Sequence, residues 1–293
     1  MTFQHFRLAI FAAFIYPLLA TFAFASTPEQ NSVTGIKEPT YWLSRSTSLE
    51  REKDWEGLLK LSQQWVKDQP ENVMAWFSLG NAYNMLQQYE QVIDLYRRML
   101  FIHPGYADAW YELSIATARL NRYEESIKAC QEVVKIQPDN SIAWYNLGVA
   151  NAKLKRHEQA VHAFLFALRI QPDADTWYNL GLTYSRDLKQ YDKAIQAFRE
   201  ALRIQPKAAD IWNNLGATYS YLKQYDQAIQ AIQESLRLRP ESAISWYNLG
   251  TAYHLKRDND KVVEVYQILR KLDPEMAGKY FDTLLSNNAK RQN

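Results

Sequence analysis

Apolar and polar positions follow one another along this chain with a helical period. Between residues 142 and 172, Trp144, Leu147 and Gly148 fall at i, i+3 and i+4, on one face of a helix. A polar break follows at Lys155-Arg156-His157. Ala160, Phe164, Ala167 and Leu168 then form a second apolar stripe that stops before Pro172. The spacing predicts two amphipathic helices joined by a short turn and closed by proline. Neither helix can bury its stripe alone, so the predicted unit is a helical hairpin that packs on its neighbours.

The pattern recurs in phase. Pro70, Pro104, Pro138, Pro172, Pro206, Pro240 and Pro274 are 34 residues apart. Trp42, Trp76, Trp110, Trp144, Trp177, Trp212 and Trp246 keep the same interval, except for 33 and then 35 residues on either side of Trp177. One residue is lost after Pro172 and one is gained near Arg186–Asp187, which implies that loops absorb length changes while helices hold register. The letters WYNLG occur at Trp144–Gly148, Trp177–Gly181 and Trp246–Gly250, with looser copies starting at Trp76, Trp110 and Trp212.

Trp-x-x-Leu-Gly-x-x-Tyr, then Tyr, Ala, Phe and Ala, then Pro, resembles the tetratricopeptide repeat (TPR). One repeat carries it as Trp212, Leu215, Gly216, Tyr219, Tyr225, Ala228, Ile232, Ser235 and Pro240. Another keeps Trp246, Leu249, Gly250, Tyr253 and Pro274 but has Val262 and Leu269 at the two small positions. The resemblance covers residues 72–274 as six repeats. It extends weakly to 39–71, where Arg45, Ser46 and Leu49 stand in for Leu, Gly and Tyr. It implies an all-α, right-handed superhelical solenoid of helix-turn-helix repeats, with the first helix of each hairpin lining the inside. Residues 39–71 then read as a degenerate N-terminal capping repeat. Residues 275–293 read as a C-terminal capping helix and tail that solvates the end of the stack.

Packing accounts for most of the motif. Gly80, Gly148, Gly181, Gly216 and Gly250 sit mid-helix, where glycine costs about 1 kcal/mol relative to alanine. The second helix is therefore expected to come close, with Ala160, Ala194 and Ala228 as its small facing residues. The tryptophans and tyrosines are expected to fill gaps between neighbouring repeats. The second and third letters are left over. Tyr111, Tyr145, Tyr178 and Tyr247 come first, with Phe77 and Asn213 in their place elsewhere; Asn146, Asn179, Asn214 and Asn248 come next, with Ser78 and Glu112 in their place.

These positions lie about one helical step off the core stripe and are expected to face the inner groove. An amide offers two donors and an acceptor, so a ladder of them suits the backbone of an extended peptide. Tyrosines beside it add rigid contact area. The plainer reading is a generic polar helix surface. Arg119 and Lys153, with Arg186, come one turn further along three successive first helices. They would attract an acidic ligand or serve simply as solvated cations. The family's carboxylate clamp for peptide C-termini is not expected, because its lysine positions hold Phe77, Tyr111, Tyr145 and Tyr178.

Composition narrows the function classes. The chain has 293 residues, 47% hydrophobic and 23% charged, enough to bury a core. Its 34 basic and 32 acidic residues are interspersed, with no basic stripe, so nucleic acid is not an expected partner. There is no phosphate-binding glycine run and no nucleophile elbow, and His157 and His162 lie on different helix faces. No enzyme activity, cofactor or metal is expected. The lone Cys130 has no disulfide partner in the chain and is expected in the core.

The first residues stand apart. Leu8–Ala25 carries no charge and ends in Ala23-Phe24-Ala25, which predicts a signal peptide over 1–25, cleaved before Ser26, and a flexible lead-in over 26–38. The rival is a retained anchor, since 18 apolar residues suffice to span a bilayer. The expected protein is a periplasmic or secreted scaffold without enzymatic activity that binds an extended peptide or helix of another envelope protein. Two alternatives remain: glycan binding in the same groove, or a membrane-anchored assembly factor if Leu8–Ala25 is kept.

Overall fold

Each apolar stripe becomes one helix. The computed structural model describes residues 39–285, and these form fifteen α-helices with no strand among them. The expected signal segment, the lead-in and the last eight residues, 286–293, lie outside the described residues. The chain divides into two compact units, Met1–Leu154 and Lys155–Asn293. Unit 1 contains α1 (Pro39–Glu52), α2 (Trp55–Asp68), α3 (Val73–Met85), α4 (Tyr89–Ile102), α5 (Ala107–Arg119), α6 (Tyr123–Ile136) and α7 (Ser141–Lys153). Unit 2 contains α8 (His157–Ile170), α9 (Ala174–Leu182), α10 (Tyr191–Ile204), α11 (Ala209–Tyr221), α12 (Tyr225–Leu238), α13 (Ala243–Lys256), α14 (Asn259–Leu272) and α15 (Pro274–Tyr280). Within each unit, helices consecutive in sequence pack on one another, the helix-turn-helix architecture expected from the period.

The turn inside each hairpin has one fixed shape. Lys53, Gln87, Asn121, Lys155, Lys189, Lys223 and Arg257, again 34 residues apart, adopt φ between 54° and 69°. This left-handed residue lets the next amide reach back over the helix end: Gln88 N–H donates to Tyr83 O at 2.8 Å, Arg122 to Thr117 O at 2.8 Å and Gln224 to Tyr219 O at 3.0 Å. Carbonyls orphaned at the helix end are thereby satisfied.

The loop between hairpins explains why Trp and Pro share a period. The indole Nε1–H of Trp76 donates to Pro70 O at 2.7 Å, and Trp110, Trp144, Trp212 and Trp246 make the same bond to Pro104, Pro138, Pro206 and Pro240 at 2.8–2.9 Å. Each tryptophan clasps the loop that precedes its own helix. Most of them are half-buried and do not simply fill a gap between repeats. In the repeat that lost a loop residue, Trp177 Nε1 is buried with no hydrogen-bond partner. The residue gained later in that repeat is taken up in a π-turn, Thr183–Asp187, that continues α9, and not in a loop.

The motif glycine makes room chiefly for a large side chain of a facing helix, a contact that the expected close approach of the small alanines did not name. A Cβ at Gly80 would strike the Tyr96 ring, and one at Gly181 would come 2.6 Å from Phe198 Cε1. At Gly216 it would come 2.5 Å from Ile232 Cγ1, and there the Ala228 carbonyl also approaches, to 2.9 Å. Where serine replaces the glycine, the residue filling the gap shrinks. Ser114 pairs with Cys130, and Ser46 and Ser62 are both buried at the matching positions. The lone cysteine is thus the small half of a volume-matched pair. Burial pushes its thiol up to about 12, against the lowering effect of the Ser114 and Ser126 hydroxyls.

Both ends of the described chain depart from the repeat. In unit 1, Trp42 is fully buried and stacks on Trp65 with ring centroids 5.9 Å apart. In unit 2, Tyr280 of α15 fills the space over Gly250, and its hydroxyl donates to Val262 O at 3.1 Å. The terminal helix therefore contributes a buried plug as well as a polar face.

Candidate functional site

The residue after each tryptophan is half core. Phe77 packs on Tyr96, Tyr178 on Phe198 and Tyr247 on Tyr280, with ring centroids 5.7, 6.0 and 5.5 Å apart. These partners are the rings that lie over the motif glycines, so the second letter is tied to the same fit. The reading that it is free of packing is corrected accordingly.

The two units treat the expected row differently. In unit 1, Tyr111, Tyr145 and Asn146 are only 7%, 2% and 0% exposed. Neither amide atom of Asn146 has a hydrogen-bond partner. Arg119 is half-buried and Lys153 exposed, at the ends of α5 and α7. The residue that organises this stretch is Glu112, at the position that holds Asn in α7. It is buried, and its Oε2 accepts from Asn84 Nδ2 at 3.0 Å. Burial raises its carboxyl to about 7, against the lowering hydrogen bond from Asn84 and with a smaller upward push from Asp108. Further along, Asn81 Nδ2 donates to Glu50 Oε1 at 2.8 Å. The departure of Glu112 from the Asn pattern was its only trace in the sequence.

In unit 2, Tyr178, Asn179, Asn214, Tyr247 and Asn248 are all half-buried. Hydrogen bonds run through them from one first helix to the next. Asn214 Nδ2 donates to Asp210 O at 2.7 Å and to Tyr178 Oη at 3.1 Å, while its Oδ1 accepts from Arg186 Nη2 at 2.9 Å. Asn248 Nδ2 donates to Asn213 Oδ1 at 3.0 Å, so the asparagine in the tyrosine slot takes over the tyrosine's role as acceptor. Asn179 Nδ2 turns back to Asp175 O at 2.8 Å. Beneath them, Ser185 Oγ and Thr218 Oγ1 lie 3.1 Å apart.

The chemistry on this surface is that of neutral amides, phenols and one guanidinium, suited to holding polar groups. Among the described residues no group of three or more His, Cys, Asp or Glu is placed to hold a metal ion, and no helix is long and apolar enough to cross a membrane.

Family models described as tetratricopeptide repeat match residues 73–116, 139–207, 172–241 and 213–277, and one described as TPR repeat matches 116–155. No curated protein matches the chain. Among solved structures, it is similar to YrrB, a TPR protein with an unusual peptide-binding site, at 18% identity and TM-score 0.56, over 67% of this chain and 97% of that one. It is similar to PilF of Pseudomonas aeruginosa at 20% identity and TM-score 0.58, over 70% and 95% of the two chains. It also resembles MamA from Desulfovibrio magneticus RS-1 at 24% identity and TM-score 0.55, over 58% and 96%. Identities this low speak to the fold alone. With matched segments together covering residues 73–277, the chain belongs to the tetratricopeptide repeat family.

Proposed function

We propose that the protein is an interaction scaffold without enzymatic activity, which holds an extended segment or helix of another protein along the first helices of unit 2. TPR proteins are in general interaction scaffolds, and the peptide-binding site of YrrB supports a peptide as the class of ligand. The observation that carries the reading is the half-buried polar row on α9, α11 and α13, in which Asn214 bonds Tyr178 and Asn248 bonds Asn213 across neighbouring first helices, with Asn179 beside them held on its own helix by Asp175 O. Such a row is ordered before any partner arrives, which lowers the entropic cost of binding. Individual contacts are weak, and affinity comes from several repeats at once. The uncharged run Leu8–Ala25 and its Ala-x-Ala ending support export, with cleavage before Ser26 and a partner in the cell envelope.

The test is photo-crosslinking in cells from Asn179 and Asn248, with Gln230 on the second helix α12 as the control. Discrete adducts from the two first-helix positions and none from Gln230 are expected. Equal labelling from all three would sink the reading. The N-terminus of the purified protein reports on export: Ser26 supports it, and an intact Met1 overturns cleavage.

A further inference from the structure

Within the row of unit 2 one group carries charge. Arg186 is exposed and lies in the π-turn at the end of α9, where the repeat absorbs its extra residue. Turns of this kind occur frequently at functional sites. Here the guanidinium meets a neutral amide, Asn214 Oδ1, at 2.9 Å. Asn214 is itself held from two sides, by Asp210 O at 2.7 Å and Tyr178 Oη at 3.1 Å. Arg186 is thus oriented without being neutralised.

Several other cations of unit 2 differ. Arg203, Arg237, Arg239 and Lys256 each sit within 2.7–2.9 Å of a carboxylate. No carboxylate among the described residues forms an ion pair with Arg186. The Tyr178 oxygen already accepts from Asn214, so its own proton is available to donate. Burial raises this phenol above its ordinary value while Arg186 pulls it down and Asp210 pushes it up, so it keeps its proton at neutral pH.

Resting on the scaffold reading above, we propose that Arg186, Tyr178 and Asn214 form a receptor for one carboxylate, an Asp or Glu side chain of the segment held along unit 2. Arg186 spends one N–H on Asn214 and has four left, enough for a two-pronged grip on a carboxylate. The Tyr178 hydroxyl adds a third donor. Charge selects the carboxylate over a phosphate: one guanidinium balances one negative charge, and Asp210 nearby is already matched by Arg239 at 2.9 Å. A dianion would remain half neutralised. The receptor is separate from the lysine-based clamp of the family, since Tyr178 occupies one of that clamp's lysine positions.

A phage-displayed library of random dodecapeptides, selected on the purified full chain, tests this. Enriched peptides are expected to share an Asp or Glu at one aligned position. Changing that acid to Asn or Gln should weaken binding to the wild type at least tenfold, and Arg186→Gln should bind both peptides equally weakly. Arg186→Lys should recover part of the loss, and Tyr178→Phe should cost about threefold, with unchanged melting temperatures in all three variants. Enriched peptides with no common acid, or full-strength binding of the acidic peptide by Arg186→Gln, would overturn the receptor and leave the scaffold reading standing. No enrichment on the full chain would overturn both.

Discussion

Glu112 shows how one residue can turn a repeat position to a different use. It stands where α7 has Asn146, yet it is buried, and burial raises its carboxyl from an ordinary 4.5 to about 7. Between those values the folded chain keeps a proton that the unfolded chain releases. Stability is therefore highest below about pH 4.5 for this group and falls as pH rises through about 7. The shift corresponds to about 3 kcal/mol in total. Glu112→Gln keeps an acceptor for Asn84 and removes the charge. It should abolish this slope and stabilise the protein at pH 8, as read from urea unfolding at pH 5 and pH 8. An unchanged slope in the variant would show that the carboxyl is not the source. The sequence marked Glu112 only as an exception to a pattern, because burial is a property of the packed neighbours and not of the residue.

At the scale of the element, the turn inside each hairpin is held by backbone bonds, and the loop between hairpins by the bond from tryptophan to the proline carbonyl. A neutral hydrogen bond of this kind contributes about 1 kcal/mol net. Trp212 has it at 2.9 Å, and Trp177 lacks it. Trp212→Phe should therefore lower stability by about 1 kcal/mol more than Trp177→Phe, which removes an indole N–H that is already unsatisfied. Chemical denaturation of the two variants checks this; equal losses would mean the clasp contributes nothing. Helices, turns and the position of the gained residue were legible from the 34-residue period, but not the π-turn that absorbs it. The clasp was half legible, since Trp and Pro shared the period but nothing named the bond between them. What fills the space over each glycine was not legible. The Gly181–Phe198 and Ser114–Cys130 pairs are read only once the facing helix is in place.

For the whole molecule, repeat architecture makes stability local, each hairpin depending chiefly on its neighbours. Tyr280 closes unit 2 by covering Gly250 and bonding Val262 O. Removing so large a buried ring costs about 3–5 kcal/mol. Tyr280→Ala should strip amide hydrogen-exchange protection from α13, α14 and α15 and leave α1–α6 of unit 1 unchanged. Loss of protection that is uniform along the chain would contradict the nearest-neighbour picture. The candidate site follows the same logic. Its half-buried, bonded amides lie in α9, α11 and α13, while the matching positions Tyr111, Tyr145 and Asn146 of unit 1 are packed away.

The sequence by itself determined the helices, their hairpin pairing, the period and the family, because each follows from local spacing of apolar side chains and turn residues repeated in register. Only the tertiary structure decided which copies of the Tyr-Asn pair remain accessible, which are buried, and that Arg186 meets a neutral amide there. Those outcomes depend on the side chains that adjacent repeats bring within hydrogen-bond reach, such as Asn214 against Tyr178 and Arg186. A repeating motif places its letters identically in every unit. It leaves to packing, 34 residues away, what each letter meets.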